Sequence, residues 1–283
     1  MTHPGMATVP APVETSETDR VGTVVPKGRR LRMSSAGWTI LSLTLTVVVW
    51  AVVVAAFKPP AYILPSPLSV VQRLWESRAQ LIDAAGPTVG VILAGFVLGL
   101  IIAVPMGMLI VAIPILDKLA YPLVIAFNSI PKVALAPLFV VWFGYGVTPR
   151  IVITFSIAFF PILVNTITGL RSVDNEMVRL GRSMGAPMSK LFLKVRLPHA
   201  LPSIFAGAKV ATSLAVIGAI IGEFVASDKG WGYLLIQAQG QLDTTLIFAI
   251  LVILAVFATI MFYAVELIER VSIPWHSSQR RQG

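Results

Sequence analysis

No cysteine occurs in the 283 residues, so a disulfide framework and a thiolate metal site are both excluded, although the redox compartment stays open. Charge is scarce: 12% of the chain is Asp, Glu, Lys or Arg, against roughly 25% in an ordinary soluble domain. The three histidines, His3, His199 and His276, lie far apart, without metal-ligand spacing. There is also no pair of catalytic carboxylates, no nucleophile elbow and no G-x-x-x-x-G-K-S/T loop to cradle ATP phosphates. These gaps assign no catalytic residue, no metal ligand and no cofactor.

What the chain has in abundance is apolar length. Apolar residues make up 56%, the mean hydropathy is +0.85, and the apolar residues fall in long blocks. The formal net charge of +9 would suit nucleic acid if it formed a solvated basic face. Here the basic residues gather at the ends of apolar blocks, which argues for a bilayer and against nucleic acid.

Residues 1–35, rich in Pro, Thr, Ser, Val and charge, cannot bury enough apolar surface to offset their ordering entropy and read as a disordered cytoplasmic tail. Residues 36–283 read as one transmembrane domain. The first apolar block, Trp38 to Phe57, has no charge, and about 20 residues suffice to cross the hydrocarbon. A cleavable signal peptide would have a shorter apolar region and a small-residue cleavage site, whereas this block runs into Phe57-Lys58-Pro59-Pro60. Five further spans are expected: Pro87 to about Leu116, Leu119 to Phe143 broken by Pro122, Pro131, Lys132 and Pro137, Ile151 to Gly169, Ser203 to about Phe224, and Thr244 to Leu267. With the N-terminus cytoplasmic, the inner segments carry 15 Lys and Arg and the outer ones 5. That asymmetry predicts six crossings with both termini inside.

The segment 171–200 is too long for a turn and reads as two short amphipathic helices. Asp174 can cap the first, and Glu176 suits its positive end. Met177, Leu180 and Met184 share one face. Gly185 is placed to stop this helix in a left-handed conformation, and Pro187 suits the first turn of the next. Met188, Leu191, Phe192 and Val195 repeat the spacing beside a basic ridge of Lys190 and Lys194. Leu197-Pro198 is expected to end the second helix, with Pro202 at the entry to the fifth span. Such a pair can lie on anionic lipid or dock into a groove of a cytoplasmic partner; the spacing leaves both open.

Gly185, nine residues, Val195, one residue, then Leu197-Pro198 resembles the Gly-x9-Ile-x-Leu-Pro core of the EAA loop of ABC importer permeases. RSMGAPMSKLFLKVRLPHALPSIFAGAKVA, from Arg182, is similar to that loop throughout. The family's Glu-Ala-Ala would fall on Arg179-Leu180-Gly181, and the nearest acid is Glu176. Over residues 60–275, ILPSPLSVV (Ile63–Val71), SIPKVALAPLFVVWFGYG (Ser129–Gly146) and FFPILVNTITGLRSVD (Phe159–Asp174) look like the nitrate, sulfonate and taurine branch, which also holds importers of pyrimidine precursors. IIGEFVASDKGWGYLL (Ile220–Leu235) looks closer to the pyrimidine-precursor members.

The resemblance implies an all-α inner (plasma) membrane protein of a bacterium with the type I ABC importer permease fold. It would work with two cytoplasmic ATPase subunits, a second permease copy and an external or periplasmic solute-binding protein. It implies an ATPase-coupling surface at Gly185, Ala186, Pro187, Lys190, Leu191, Val195, Leu197 and Pro198.

Polar residues inside spans are costly and often functional. Asn128, Ser129 and Lys132 sit in the proline-broken span, where Lys132 could meet an anionic solute, snorkel to a headgroup or pair with a carboxylate. Asn165 and Thr166 can face a pathway or bond a neighbouring helix. Glu223 can touch solute or hold structure. Gly95 and Gly99 favour close packing within the subunit. A stand-alone secondary transporter or channel is the rival function, and would usually show internal repeats or paired intramembrane charges. A membrane enzyme would need a catalytic constellation, and none is visible.

Overall fold

A computed structural model describes residues 35–274, and every regular element among them is helical. Residues 1–34 of the expected tail, with its five basic residues, and the C-terminal Arg280 and Arg281 lie outside the described residues. Contacts divide the chain into two units, residues 1–46 and 47–283, so the division falls inside the first helix. That helix, α1 (Ser35–Phe57), has no charge and no polar face, as a lipid-embedded helix should. In its first half Thr46 Oγ1 donates to the Ser42 carbonyl at 2.9 Å, satisfying a hydroxyl that lipid would leave bare.

In the second unit, α2 (Pro67–Glu76) starts where its sequence says a helix should. Ser66 accepts from the Ser69 N–H at 3.1 Å, and Pro67 supplies a preset φ in the first turn. Four long apolar helices form the body: α3 (Arg78–Ala112), α6 (Val147–Arg171), α9 (Leu197–Ala226) and α11 (Thr244–Ser272). Between α3 and α6 run α4 (Pro114–Ser129), a 3₁₀ turn (Lys132–Leu135) and α5 (Ala136–Phe143), with an 81° bend at the break. Pro131 lacks an N–H and disfavours helical backbone before it, so the chain cannot run straight there. α7 (Asn175–Ser183) and α8 (Met188–Leu191) fill the polar loop, and α10 (Trp231–Gly240) lies between α9 and α11.

α6 is the axis of the bundle. Thr154, fully buried, is held between α3 and α9. A Cβ on Gly95 would lie 2.5 Å from Thr154 Cγ2, and one on Gly218 would lie 2.9 Å from Thr154 Cα. Backbones approach this closely only where side chains vanish, which is how apolar helices associate without a hydrophobic drive. Gly95 thus packs within the subunit, against α6, and Gly99 follows onto Ala158 and Ile162.

Two boundaries differ most from the sequence expectation. α3 begins at Arg78, nine residues before Pro87, because a proline inside an apolar helix is tolerated when neighbours satisfy the freed carbonyl. The helix of the loop does not end at Leu197-Pro198. Phe192–Arg196 form a π turn in which the Leu197 N–H reaches the Phe192 carbonyl, and α8 runs through it into α9. The wider turn carries the chain past Pro198, which sits in the first turn of α9 and needs no N–H there. The short helices α2 and α10 were not anticipated.

Candidate functional site: a polar loop and a buried carboxylate

At one end of the bundle, hereafter the loop end, Asp174 caps α7 by accepting from the Glu176 N–H at 2.9 Å. The helix closes in a Schellman motif: Gly185 N–H to the Arg182 carbonyl at 2.9 Å, Ala186 N–H to the Gly181 carbonyl at 3.1 Å. Gly185 has φ +76°, the left-handed conformation that its placement suggested. The Pro187 carbonyl then accepts from Lys190 and Leu191, starting α8.

The two short helices meet through Leu191, which is buried, and Gly181, where a Cβ would run into the Leu191 side chain. Val178 is buried beside them, although the sequence pattern had pointed to Met177, Leu180 and Met184. Those three are 57%, 63% and 78% exposed, and with Met188 they leave a soft apolar face uncovered. An apolar groove of ≈ 250 Å³, lined by Ala112, Met188, Ser189, Phe192, Leu193 and Arg196, adjoins it. Ala186, Val195, Leu197 and Pro198 are half-buried, whereas Gly185, Pro187 and Lys190 are exposed.

The broken segment brings Asn128 and Lys132 together. Lys132 Nζ donates to the Asn128 carbonyl at 2.8 Å and lies 4.5 Å from the ring centre of Phe160 on α6. Asn165 is elsewhere on α6, half-buried against Gly207, with Nδ2 donating to the Pro161 carbonyl at 2.8 Å.

Glu223, at the opposite end of the bundle, has no exposed surface. Oε2 accepts from the Gly232 N–H at 2.6 Å; Oε1 meets no donor in full hydrogen-bond geometry among the described residues, and the Thr88 hydroxyl and Arg150 guanidinium stand close to the carboxyl group. Gly230 and Gly232 enclose it: Gly230 has φ +106°, and a Cβ on Gly232 would stand 2.8 Å from Glu223 Cβ. Trp231 between them donates its backbone N–H to Thr88 Oγ1 at 2.8 Å and its indole N–H to the Leu81 carbonyl at 2.9 Å. Buried Arg150 donates to Ser227 Oγ at 2.7 Å, and Ser227 in turn donates to the Lys229 carbonyl. The sequence had flagged Glu223 alone; the glycines flanking Trp231 were the only further signal. Asn128, Lys132, Asn165 and Glu223 therefore do not form one cluster.

Comparison with known proteins adds findings of three kinds. The family model "Binding-protein-dependent transport system inner membrane component" matches residues 95–272. The formylaminopyrimidine transport permease protein ThiX of Halalkalibacterium halodurans is 33% identical over 240 residues, 84% of this chain and 96% of the relative. The riboflavin transport system permease protein RibX of Chloroflexus aurantiacus is 36% identical over 268 residues, 93% of this chain and 99% of the relative, and the putative aliphatic sulfonates permease SsuC of Bacillus subtilis is 28% identical over 246, 86% of this chain and 89% of the relative. A solved chain of the MetNI methionine ABC transporter, in an inward-facing conformation, shares the fold with a TM-score of 0.60 and 24% identity, over 69% of this chain and 97% of that one.

Proposed function

The chain belongs to the binding-protein-dependent transport system inner membrane components, the permease subunits of ABC importers, and from that premise we propose how it receives its energy and what it carries. The family works with separate ATPase subunits and a solute-binding protein. In this chain the ATPase docks on the exposed face of Met177, Leu180, Met184 and Met188, with Gly185, Ala186, Pro187 and Lys190 setting its direction and Leu191, Val195, Leu197 and Pro198 joining it to α9. The observation that carries this reading is the unbroken helical path from Met188 to Ala226. A push on an exposed loop is useless to a transporter unless something stiff takes it into the membrane, and a helix of this length reaches about 58 Å at 1.5 Å per residue.

The loop end is cytoplasmic, following the excess of Lys and Arg there, and the Glu223 end is external. Residues 1–35 form a cytoplasmic tail. Two identical copies enclose the pathway, and the chain holds no ATP itself. Asn128 and Lys132 at the bend line that pathway together with Asn165. The solute is a pyrimidine-type or related heteroaromatic vitamin precursor, supported by closer identity to ThiX and RibX than to SsuC.

The test is reconstitution with the partner ATPase and binding protein. Uptake of labelled formylaminopyrimidine or riboflavin should require ATP and exceed that of taurine. Met184→Asp with Met188→Asp should lower ATPase co-purification and uptake by roughly tenfold or more, equivalent to about 1.4 kcal/mol. ATP-independent uptake, or undiminished co-purification, would refute the coupling assignment.

A further inference from the structure

Glu223 is an unusual occupant of a membrane helix. A carboxyl group shut away from water has most to gain from filling both oxygens with donors, and an unfilled buried acceptor is costly. Here Oε2 is filled by the Gly232 N–H, while Oε1 meets no donor in full hydrogen-bond geometry among the described residues, although the Thr88 hydroxyl and the Arg150 guanidinium stand close to the carboxyl group. No side chain fits between the carboxyl group and the turn, because both nearby glycines lie against it. The contact is therefore tight and incompletely satisfied. A carboxyl group held this way can exchange its protein partners for water once opening admits it.

Its position gives that exchange a use. Gly232 lies in the first turn of α10, whose free N–H groups favour a carboxylate. The same turn is tied to α3 through Trp231, by Thr88 and Leu81. The parallel chain of Arg150, Ser227 and the Lys229 carbonyl ties α6 to the end of α9. Glu223 is thus the one side chain of α9 bonded to the turn that also grips α3. α9 is continuous with the loop at the other end of the bundle.

We propose that Glu223 is the bolt of an external latch: its bond to Gly232 holds the outer ends of α3, α9 and α10 together, and it withdraws when α9 is moved from the loop end. Glu223 is a positioning residue in this role and does not touch solute. The inference rests on the transport reading above and adds to it the place where the external gate is held.

The chain has no cysteine, so one introduced thiol can report the latch. Ala226, fully buried one helical turn beyond Glu223, is the site. In the assembled transporter in proteoliposomes, without ATP, Ala226→Cys should resist a membrane-impermeant maleimide. With Glu223→Ala added, labelling should quicken at least about tenfold, as the loss of one buried hydrogen bond implies. Glu223→Gln, which keeps an oxygen for Gly232, should stay protected. In parallel, Glu223→Ala should lower ATP-driven uptake about tenfold and raise the ATP hydrolysed per solute, with the amount of assembled complex unchanged. Unchanged labelling and uptake would overturn the proposal. So would uptake, hydrolysis and assembly falling together, since that marks a merely structural residue. If the unsubstituted complex fails to import at all, the transport reading fails, whereas the labelling comparison, made without ATP, still judges whether Glu223 holds this end shut.

Discussion

Gly185 turns the loop because its backbone is left-handed, not because space is short. A Cβ there would meet nothing within 4 Å, so a substitution is felt through φ alone. A β-branched residue in this conformation costs about 1–2 kcal/mol, whereas Asn, which tolerates it, costs less. Gly185→Val should therefore loosen the joint between α7 and α8 and reduce ATP-dependent uptake, while Gly185→Asn keeps most of it; protein levels in the membrane should match for both. Immunoblotting alongside uptake checks this. This residue was legible from sequence because a helix stop depends on near neighbours. Thr88 and Trp231 were not, since their bond joins positions 143 residues apart. Nor could spacing say which apolar face of α7 is covered: Val178 is, and Met177 is not. In a subunit built to meet partners, an apolar stripe can be the face left open.

At the level of elements, the long apolar helices were readable because each carries its own signal over many residues. Their junctions were not. Pro198 reads as a stop, yet the π turn lets the helix pass, and one continuous helix replaces an expected break. α2 was missed because ten residues of mixed polarity are too few to stand out. It is held by one side chain with two duties: Asp243 caps α11 by accepting from the Leu246 N–H at 2.9 Å and also takes Arg73 at 2.7 Å. Capping carboxylates are worth about 0.5–2 kcal/mol, and a partly exposed ion pair about 0.2–1 kcal/mol. Asp243→Ala should accordingly lower the thermal midpoint in detergent more than Arg73→Ala. With Asp243 already replaced, removing Arg73 should cost little more. Equal losses from the two single changes would assign the whole effect to the ion pair.

The whole molecule turns on whether the bent segment crosses the membrane or dips back. α3 has its early residues Leu81 and Thr88 at the Glu223 end, bonded to Trp231, and its last residue Ala112 beside Met188 at the loop end. α6 runs parallel to it, because Arg150 near its start bonds Ser227, and Arg171 at its finish bonds Asp117, five residues after α3 has ended. Two consecutive parallel helices require the chain to return between them. α4, the 3₁₀ turn and α5 must therefore traverse the bundle despite the 81° bend, and the bend becomes a broken crossing with Asn128 and Lys132 at its break. This places exposed Tyr145 and exposed Met184 on opposite sides of the bilayer. In the cysteine-free chain, Tyr145→Cys should react with impermeant maleimide on intact spheroplasts, and Met184→Cys only after the membrane is opened. Tyr145→Cys shielded until the membrane is opened, with Met184→Cys reacting on intact spheroplasts, would make the segment a re-entrant loop. The Lys132–Phe160 contact would then have to be explained without a crossing, and the pathway role of the break would go with it.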